Sequence, residues 1–507
     1  MTLTPKTVVI IGAGYGGMAL ANLLAKHGCT VHVFEKNATP GGRIHAIKKD
    51  GFTFDLGPSW YLMPEVFSQY YELFDLDVAA RLDLIRFTPG YQVFFENHSP
   101  IRIQGDTALD EATVEQLEPG AGAAFRKYTT RSTTAYTLAV KHFLYNNFSR
   151  LRDVLKWEIV RSAPSMLSLV FQTLDSYVSK QFRSLQVKQL LEYHMVFLGS
   201  SPFQAPALYS LMSHLDFKSG VYYPKLGMLA LADDLYEIGK QLGVIYHFAA
   251  PVERIVVQDG VATGVKCVDG STYTADCVVS NADLHFTETQ LLARDHQSFP
   301  ERYWKKRQPG PGALLISLGI KGSLPSLLHH NLYFVENWRE NFADIYETKR
   351  VPEHASIYIC NPTKTDPALA PSGHENIFVL MPLPAGVDIA ADMQQQLMER
   401  IIATLGRVVD NPQLKKRVVS AHMFGPQDFS RTFNAWQSNA FGGESHLLKQ
   451  SVIFRTPNKS RKVKHLYYVG AGTTPGIGLP MCLISAALTY KTMFGIKQSG
   501  PLRRDDI

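Results

Sequence analysis

The feature that most constrains this chain is Gly12-Ala-Gly14-Tyr15-Gly16-Gly17, set directly behind the apolar run Val8 to Ile11. A short, continuous apolar strand of this kind belongs inside a parallel sheet. Gly12 permits a tight turn, Gly14 lets backbone approach a diphosphate, and Gly17 lets the next helix pack on the strand. Met18 to His27 reads as that helix, with Leu20, Leu23 and Leu24 facing inward and Gly28 ending it. Its N-terminus offers free N–H groups and a positive dipole end to phosphates. Thr30 to Glu35 reads as a second strand. Glu35 closes it 18 residues after Gly17, where a carboxylate can accept hydrogen bonds from ribose hydroxyls. Strand, turn, helix and acid together predict a βαβ dinucleotide site.

The fingerprint alone does not separate NAD from FAD. Pro40-Gly41-Gly42-Arg43 follows the second strand by a few residues and places a guanidinium near the diphosphate. Far downstream, the apolar strand Leu466 to Val469 runs into Gly470-Ala-Gly472-Thr-Thr-Pro-Gly476-Ile477-Gly478, followed by a helix from about Leu479. Its N–H groups would approach the second half of a long cofactor. Each segment alone reads as turn glycines and a surface arginine; together they favour FAD. No second complete βαβ fingerprint is present for NAD(P)H, so the electron partner must meet the flavin by another route.

The 507 residues are 45% hydrophobic and only 19% charged, which excludes disorder and hints at apolar surface or an apolar cavity. The net charge of +6 is mild for this length; it suits an anionic membrane surface and does not argue for nucleic acid. Five dispersed cysteines without a C-x-x-C pair read as reduced core thiols of a cytoplasmic protein. The apolar run at Val8 passes straight into glycines, which does not resemble a signal peptide. No apolar stretch reaches the roughly 20 residues of a spanning helix. Residues from about 65 to 215 read as mostly helical, and Met228 to Leu242 as an amphipathic helix. Val252 to Gln258 and Val261 to Val268 read as strands joined by a hairpin at Asp259-Gly260. No metal site is expected: His329-His330 has no nearby cysteine or carboxylate ligand pattern, and adjacent residues rarely chelate one ion. Hydrolase and kinase motifs are missing.

These residues resemble the bacterial-type phytoene desaturase family, carotenoid-modifying flavoproteins of the amine-oxidase-like FAD fold. The likeness runs through most of the chain. It includes the fingerprint with Glu35-Lys36, Gly41-Gly42-Arg43 and Gly51-Phe-Thr-Phe-Asp-Leu-Gly57-Pro58-Ser59. It continues in Val279-Ser-Asn-Ala-Asp283, Ser430 to Phe441 and Val469 to Gly476. Thr474 is a departure, since family members often carry His there. The resemblance implies an α/β fold: a Rossmann-like FAD-binding domain interleaved with a mixed-sheet substrate domain and a helical membrane-contacting section. The first would gather residues 1–75, 220–290 and 455–500; the second 76–219 and 291–454, with the helical section at about 90–215. Cofactor-binding positions implied this way add Lys36, Gly57, Pro58, Ser59, Ile477 and Val252, whose backbone meets the adenine in this fold; sequence alone makes Val252 a core valine.

The activity implied is FAD-dependent desaturation of phytoene or a diapophytoene-type polyene, by hydride transfer to flavin. Quinone or oxygen would be the electron acceptor. Arg152-Asp153 falls where related desaturases also carry Arg and Asp and is the candidate catalytic pair; an exposed helical ion pair explains it equally. Leu151, Leu155, Ile159, Met166 and Leu167, among basic residues, read either as a lipid-facing surface of a peripheral membrane protein or as core. The rival functions are a carotenoid cis–trans isomerase, saturase or terminal-methyl oxygenase on the same scaffold, and a prenyl- or lipid-binding chaperone.

Overall fold

The computed structural model describes residues 6–146, 168–451 and 454–507. Its first sheet is wholly parallel, with strands ordered Leu466–Tyr468, Cys277–Ser280, Thr7–Ile11, Thr30–Phe34 and Ile245–His247. Four distant stretches of sequence therefore supply one five-stranded layer. Val8, Val9 and Ile10 are fully buried because both faces of the sheet are covered, the Val8 and Ile10 face by helices and the Val9 face by a small antiparallel layer. The helix Tyr15–Lys26 packs against Leu479–Phe494 and Leu229–Gln241, joining the two ends and the middle of the chain in one core. It begins at Tyr15, earlier than the expected Met18, so the last glycines of the turn form its first turn.

A three-stranded antiparallel layer, Val252–Gln258, Val261–Cys267 and Thr272–Thr274, leans on this sheet. Asp259 and Gly260, at φ +49° and +74°, form the expected tight hairpin.

The second domain is built on a seven-stranded mixed sheet. Its order is Val418–Phe424, Gly312–Lys321, His374–Leu383, Ile357–Cys360, His330–Phe334, Tyr91–Phe95 and His98–Ile103. Gly312–Lys321 reads as an unbroken apolar run because both faces are covered. Ala313 and Leu315 face the helical side, while Leu314, Ile316, Leu318 and Ile320 face the helix Ala391–Val408. The helical side comprises Thr107–Leu117, Gly122–Leu138, Leu174–Ser179 and Leu185–Glu192 among others. One expectation is corrected here. Residues 91–103, assigned to the helical section, form the last two strands at one end of this sheet: the fully buried Tyr91–Phe95 pairs in parallel with His330–Phe334, and His98–Ile103 is the edge. Arg152, Asp153 and the five apolar positions from Leu151 to Leu167 lie outside the described residues. No described helix is long and apolar enough to cross a membrane.

Under the helical layer, Glu192 is fully buried, with Oε2 accepting from Trp338 Nε1 at 2.8 Å and Oε1 unpartnered. Burial pushes its pKa up to about 8. An unfolded glutamate titrates near about 4.3. Between those values the folded chain holds a proton that the unfolded chain has lost, so this carboxyl makes stability fall as pH rises through the window. Melting temperatures followed from about pH 5 to about pH 8 should decline more steeply in the wild type than in Glu192→Gln. Parallel profiles would show that the buried carboxyl is not protonated.

Candidate functional site

The glycine turn is shaped by Asn281, at the end of the strand Cys277–Ser280. A Cβ on Gly14 would stand 2.6 Å from Asn281 Oδ1, and one on Gly17 2.4 Å from the Gly12 carbonyl oxygen. The Asn281 N–H donates to the Ile11 carbonyl at 2.8 Å, and its Nδ2 donates to the Val469 carbonyl at 3.0 Å. One amide thus ties the N-terminal fingerprint to the C-terminal glycine segment. Gly470 comes so near that a Cβ there would meet Asn281 Nδ2 at 2.5 Å.

Glu35 is 5% exposed and stands on the wall of a large cavity. Its Oε2 accepts from the Ala13 N–H at 2.8 Å, and its Oε1 from the Asn37 N–H and Nδ2 at 2.9 and 2.8 Å. Burial raises its pKa, while these hydrogen bonds and the Lys36 charge oppose the rise. The carboxylate keeps acceptor capacity for hydroxyl donors from the cavity. Lys36 also borders the cavity, but its ammonium is engaged by the Arg431 carbonyl at 2.7 Å and Asn434 Oδ1 at 2.9 Å.

Arg43 is held by the backbone of the segment opposite: Nε donates to Ala440 O at 2.9 Å and Nη2 to Asn439 O at 3.2 Å. It forms no ion pair among the described residues, and burial lowers its pKa more than the nearby Asp283 carboxylate raises it. A guanidinium fixed in a cavity wall without a direct ion-pair partner favours an anion in the cavity. Gly12, Gly14, Gly42, Gly57 and Gly472 leave the backbone of that wall bare. The donor set, the free cation and the ribose-type carboxylate fit a dinucleotide with a diphosphate.

The cavity measures about 860 Å³. Tyr15, Gly16, Pro58, Ser59, Val252 and Ile477 also line it, as expected. Gly17, Gly470 and Gly476 stand behind its wall, where they permit close packing. Beyond the glycine segments the lining turns apolar, with Leu315, Phe378, Leu380, Leu208 and Leu211 among others.

Several wall residues escaped the sequence reading. Asn281 and Asp283 lay inside a quoted motif but had no assigned role. Asp283 accepts from the Phe286 and Trp436 N–H groups at 3.2 and 3.1 Å, joining the segment after the strand Cys277–Ser280 to one some 150 residues downstream. His446 is buried, with Nδ1 bonded to Leu198 O at 2.6 Å. Its Nε2 lies 3.1 Å from where a Cβ on Gly476 would stand. An imidazole thus stands beside the loop in which Thr474 replaces the expected histidine. Burial and the neighbouring Arg455 hold the His446 pKa well below the usual histidine value, so the ring is neutral.

The model of the flavin containing amine oxidoreductase family matches residues 15–489. A carotenoid 3,4-desaturase of Haloarcula japonica is 38% identical over 97% of this chain and 98% of its own. A zeta-carotene-forming phytoene desaturase of Myxococcus xanthus is 34% identical, covering 96% of this chain and 94% of its own. Among solved structures, putrescine oxidase bound to putrescine superposes with a TM-score of 0.61 at 15% identity, covering 97% of this chain and 98% of its own, a likeness of fold.

Removing the Glu35 carboxylate should weaken FAD binding by about ten- to a hundredfold, the worth of charge-assisted hydrogen bonds to hydroxyls. Arg43→Met should do at least as much by leaving the diphosphate unpaired. Titration of deflavinated protein with FAD measures both. Unchanged affinity in Glu35→Ala and Arg43→Met would separate these residues from the cofactor.

Proposed function

We infer that the chain, which belongs to the flavin containing amine oxidoreductase family and to its carotenoid-desaturase branch, is an FAD-dependent enzyme that introduces double bonds into a carotenoid precursor. Its substrate is a long polyene of the phytoene or diapophytoene class. One observation carries the reading: a dinucleotide cradle and an apolar channel are two ends of a single cavity.

FAD bound in the cradle supplies the hydride acceptor. The chain's own residues do the rest. The turn from Gly12 to Gly16, with Gly42 and Arg43, would hold the diphosphate, Glu35 would take ribose hydroxyls, the Val252 backbone would meet the adenine, and Gly472 and Ile477 would border the flavin, since all of these line the cavity. Leu315, Phe378 and Leu380 orient the polyene and exclude water. Loss of hydride from an allylic carbon makes the neighbouring C–H strongly acidic, so even a weak base can take its proton. Among the described residues we assign this role to His446, which borders the cavity and, with Nδ1 bonded to Leu198 O, keeps a lone pair on Nε2. Arg152 and Asp153 remain candidates outside the described residues. We take residues 1–75, 220–290 and 455–500 as the FAD-binding part and 76–219 and 291–454 as the substrate part; the strands of the parallel sheet all fall in the first set.

The polyene is too apolar to arrive through water, so the channel opens onto a bilayer. Leu448 and Phe454 line the cavity while being 37% and 52% exposed. Phe171, beside the cavity-lining Val170, is 75% exposed. Such apolar groups at a cavity mouth favour peripheral attachment to lipid. Quinone or oxygen then takes the electrons.

Precursor-loaded liposomes with quinone or oxygen as sole oxidant test the chemistry. The product should lose two hydrogens per step without added nicotinamide cofactor; unchanged mass would indicate isomerisation, and added oxygen an oxygenase. Flotation tests the attachment. The protein should rise with anionic liposomes, and Phe171→Asp should rise less; protein that never floats would mean that substrate comes by another route.

A further inference from the structure

His329 and His330 stand in sequence as an isolated pair, and the sheet supplies what the sequence lacks. The strands His330–Phe334 and Ile357–Cys360 pair antiparallel with His330 opposite Cys360. One ligand atom from each of His329, His330 and Cys360 falls within 4.8 Å of the others. All three side chains are buried, at 5%, 0% and 3% exposure.

The two rings are fixed from behind. His329 Nδ1 is bonded to Thr365 Oγ1 at 2.7 Å, and His330 Nδ1 to Tyr358 Oη at 2.7 Å. Phe87 lies 4.6 Å from the His329 ring, and Trp60 stacks on His330 at 4.9 Å. In the tautomer in which each Nδ1–H donates to its hydroxyl oxygen, each Nε2 carries a lone pair. Both Nε2 atoms are buried without any hydrogen-bond partner. Two unpartnered imidazole nitrogens in one core are costly unless something else satisfies them. Imidazoles oriented by bonds on their far nitrogens, converging with a thiol, are the pattern of a metal centre with its supporting shell.

We propose that His329, His330 and Cys360 bind one zinc-class divalent cation, a site separate from the flavin pocket. Two nitrogens and one sulfur suit a borderline-soft ion, with water as a fourth ligand. Bonds of about 2.0–2.3 Å would draw the donors together by about an ångström. On binding, the Cys360 thiol releases its proton to solvent as the metal–sulfur bond forms, with no change of oxidation state. The ion would staple the loop before His330 to the end of the next strand. None of the three residues lines the large cavity, so flavin content reports folding independently.

The experiment uses untagged flavin-bound protein, stripped with chelator, equilibrated with ZnCl2 or CoCl2 and desalted. Mass spectrometry of the metal should find about one equivalent per chain. The cobalt form should show tetrahedral d–d bands in the red, where the flavin does not absorb. Cys360→Ala should lose both signals while keeping its flavin. Thr365→Val, which spares every ligand, should weaken metal binding by about tenfold through loss of the His329 orientation. Wild-type protein holding less than about a tenth of an equivalent would overturn the proposal. So would equal metal binding in the wild type, Cys360→Ala and His330→Asn.

Discussion

Everything in the cofactor half hangs on the close approach of three backbone segments around the Asn281 side chain. The fingerprint turn, the end of the strand Cys277–Ser280 and the segment from Val469 meet within van der Waals distance of one amide. That approach is sterically possible only because the facing positions are Gly14, Gly17 and Gly470. A methyl group at any of them would separate the segments, and with them the parallel strands from which they spring. The glycines are therefore as much a matter of sheet assembly as of room for a ligand.

The polar end of the cavity is electrostatically unfinished on its own. Arg43 is oriented by two carbonyls and forms no ion pair among the described residues, while Glu35 is stabilised by donors from Ala13 and Asn37. A neutral dinucleotide analogue without the diphosphate would satisfy the second group and leave the first unmet. At the other end the problem is reversed. A surface of leucine and phenylalanine with a neutral imidazole asks for a ligand with few polar atoms. Joining the two demands in one cavity selects a flavin together with a hydrocarbon-like partner.

Part of this was legible in the sequence because it is governed by local sterics. The turn at Gly12, the hairpin at Asp259-Gly260 and the apolar strand before Gly470 announce themselves within a few residues. Arg43 was legible as a cation near the diphosphate, but its anchors at Asn439 and Ala440 lie almost 400 positions away and only folding brings them near. The strands of residues 91–103 were hidden for another reason: Tyr91–Phe95 is buried throughout, so it has no alternation to betray a strand. The pairing of His330 with Cys360 depends on register, which a one-residue slip would abolish. His446 carried no signal beyond the departure at Thr474, which located the gap without naming what stands beside it.

The order of strands in the parallel sheet also sets a timetable. The strand Leu466–Tyr468 completes the layer next to Cys277–Ser280, and the helix Leu479–Phe494 covers the helix Tyr15–Lys26. During synthesis the fingerprint is therefore made long before the strand Leu466–Tyr468 and the helix Leu479–Phe494, and it remains unfinished until both have left the ribosome. Throughout translation, Met18, Leu20 and Leu24, buried in the finished protein, lack their last cover. Capture of a cofactor by the fingerprint therefore waits on a strand more than 400 residues downstream of it.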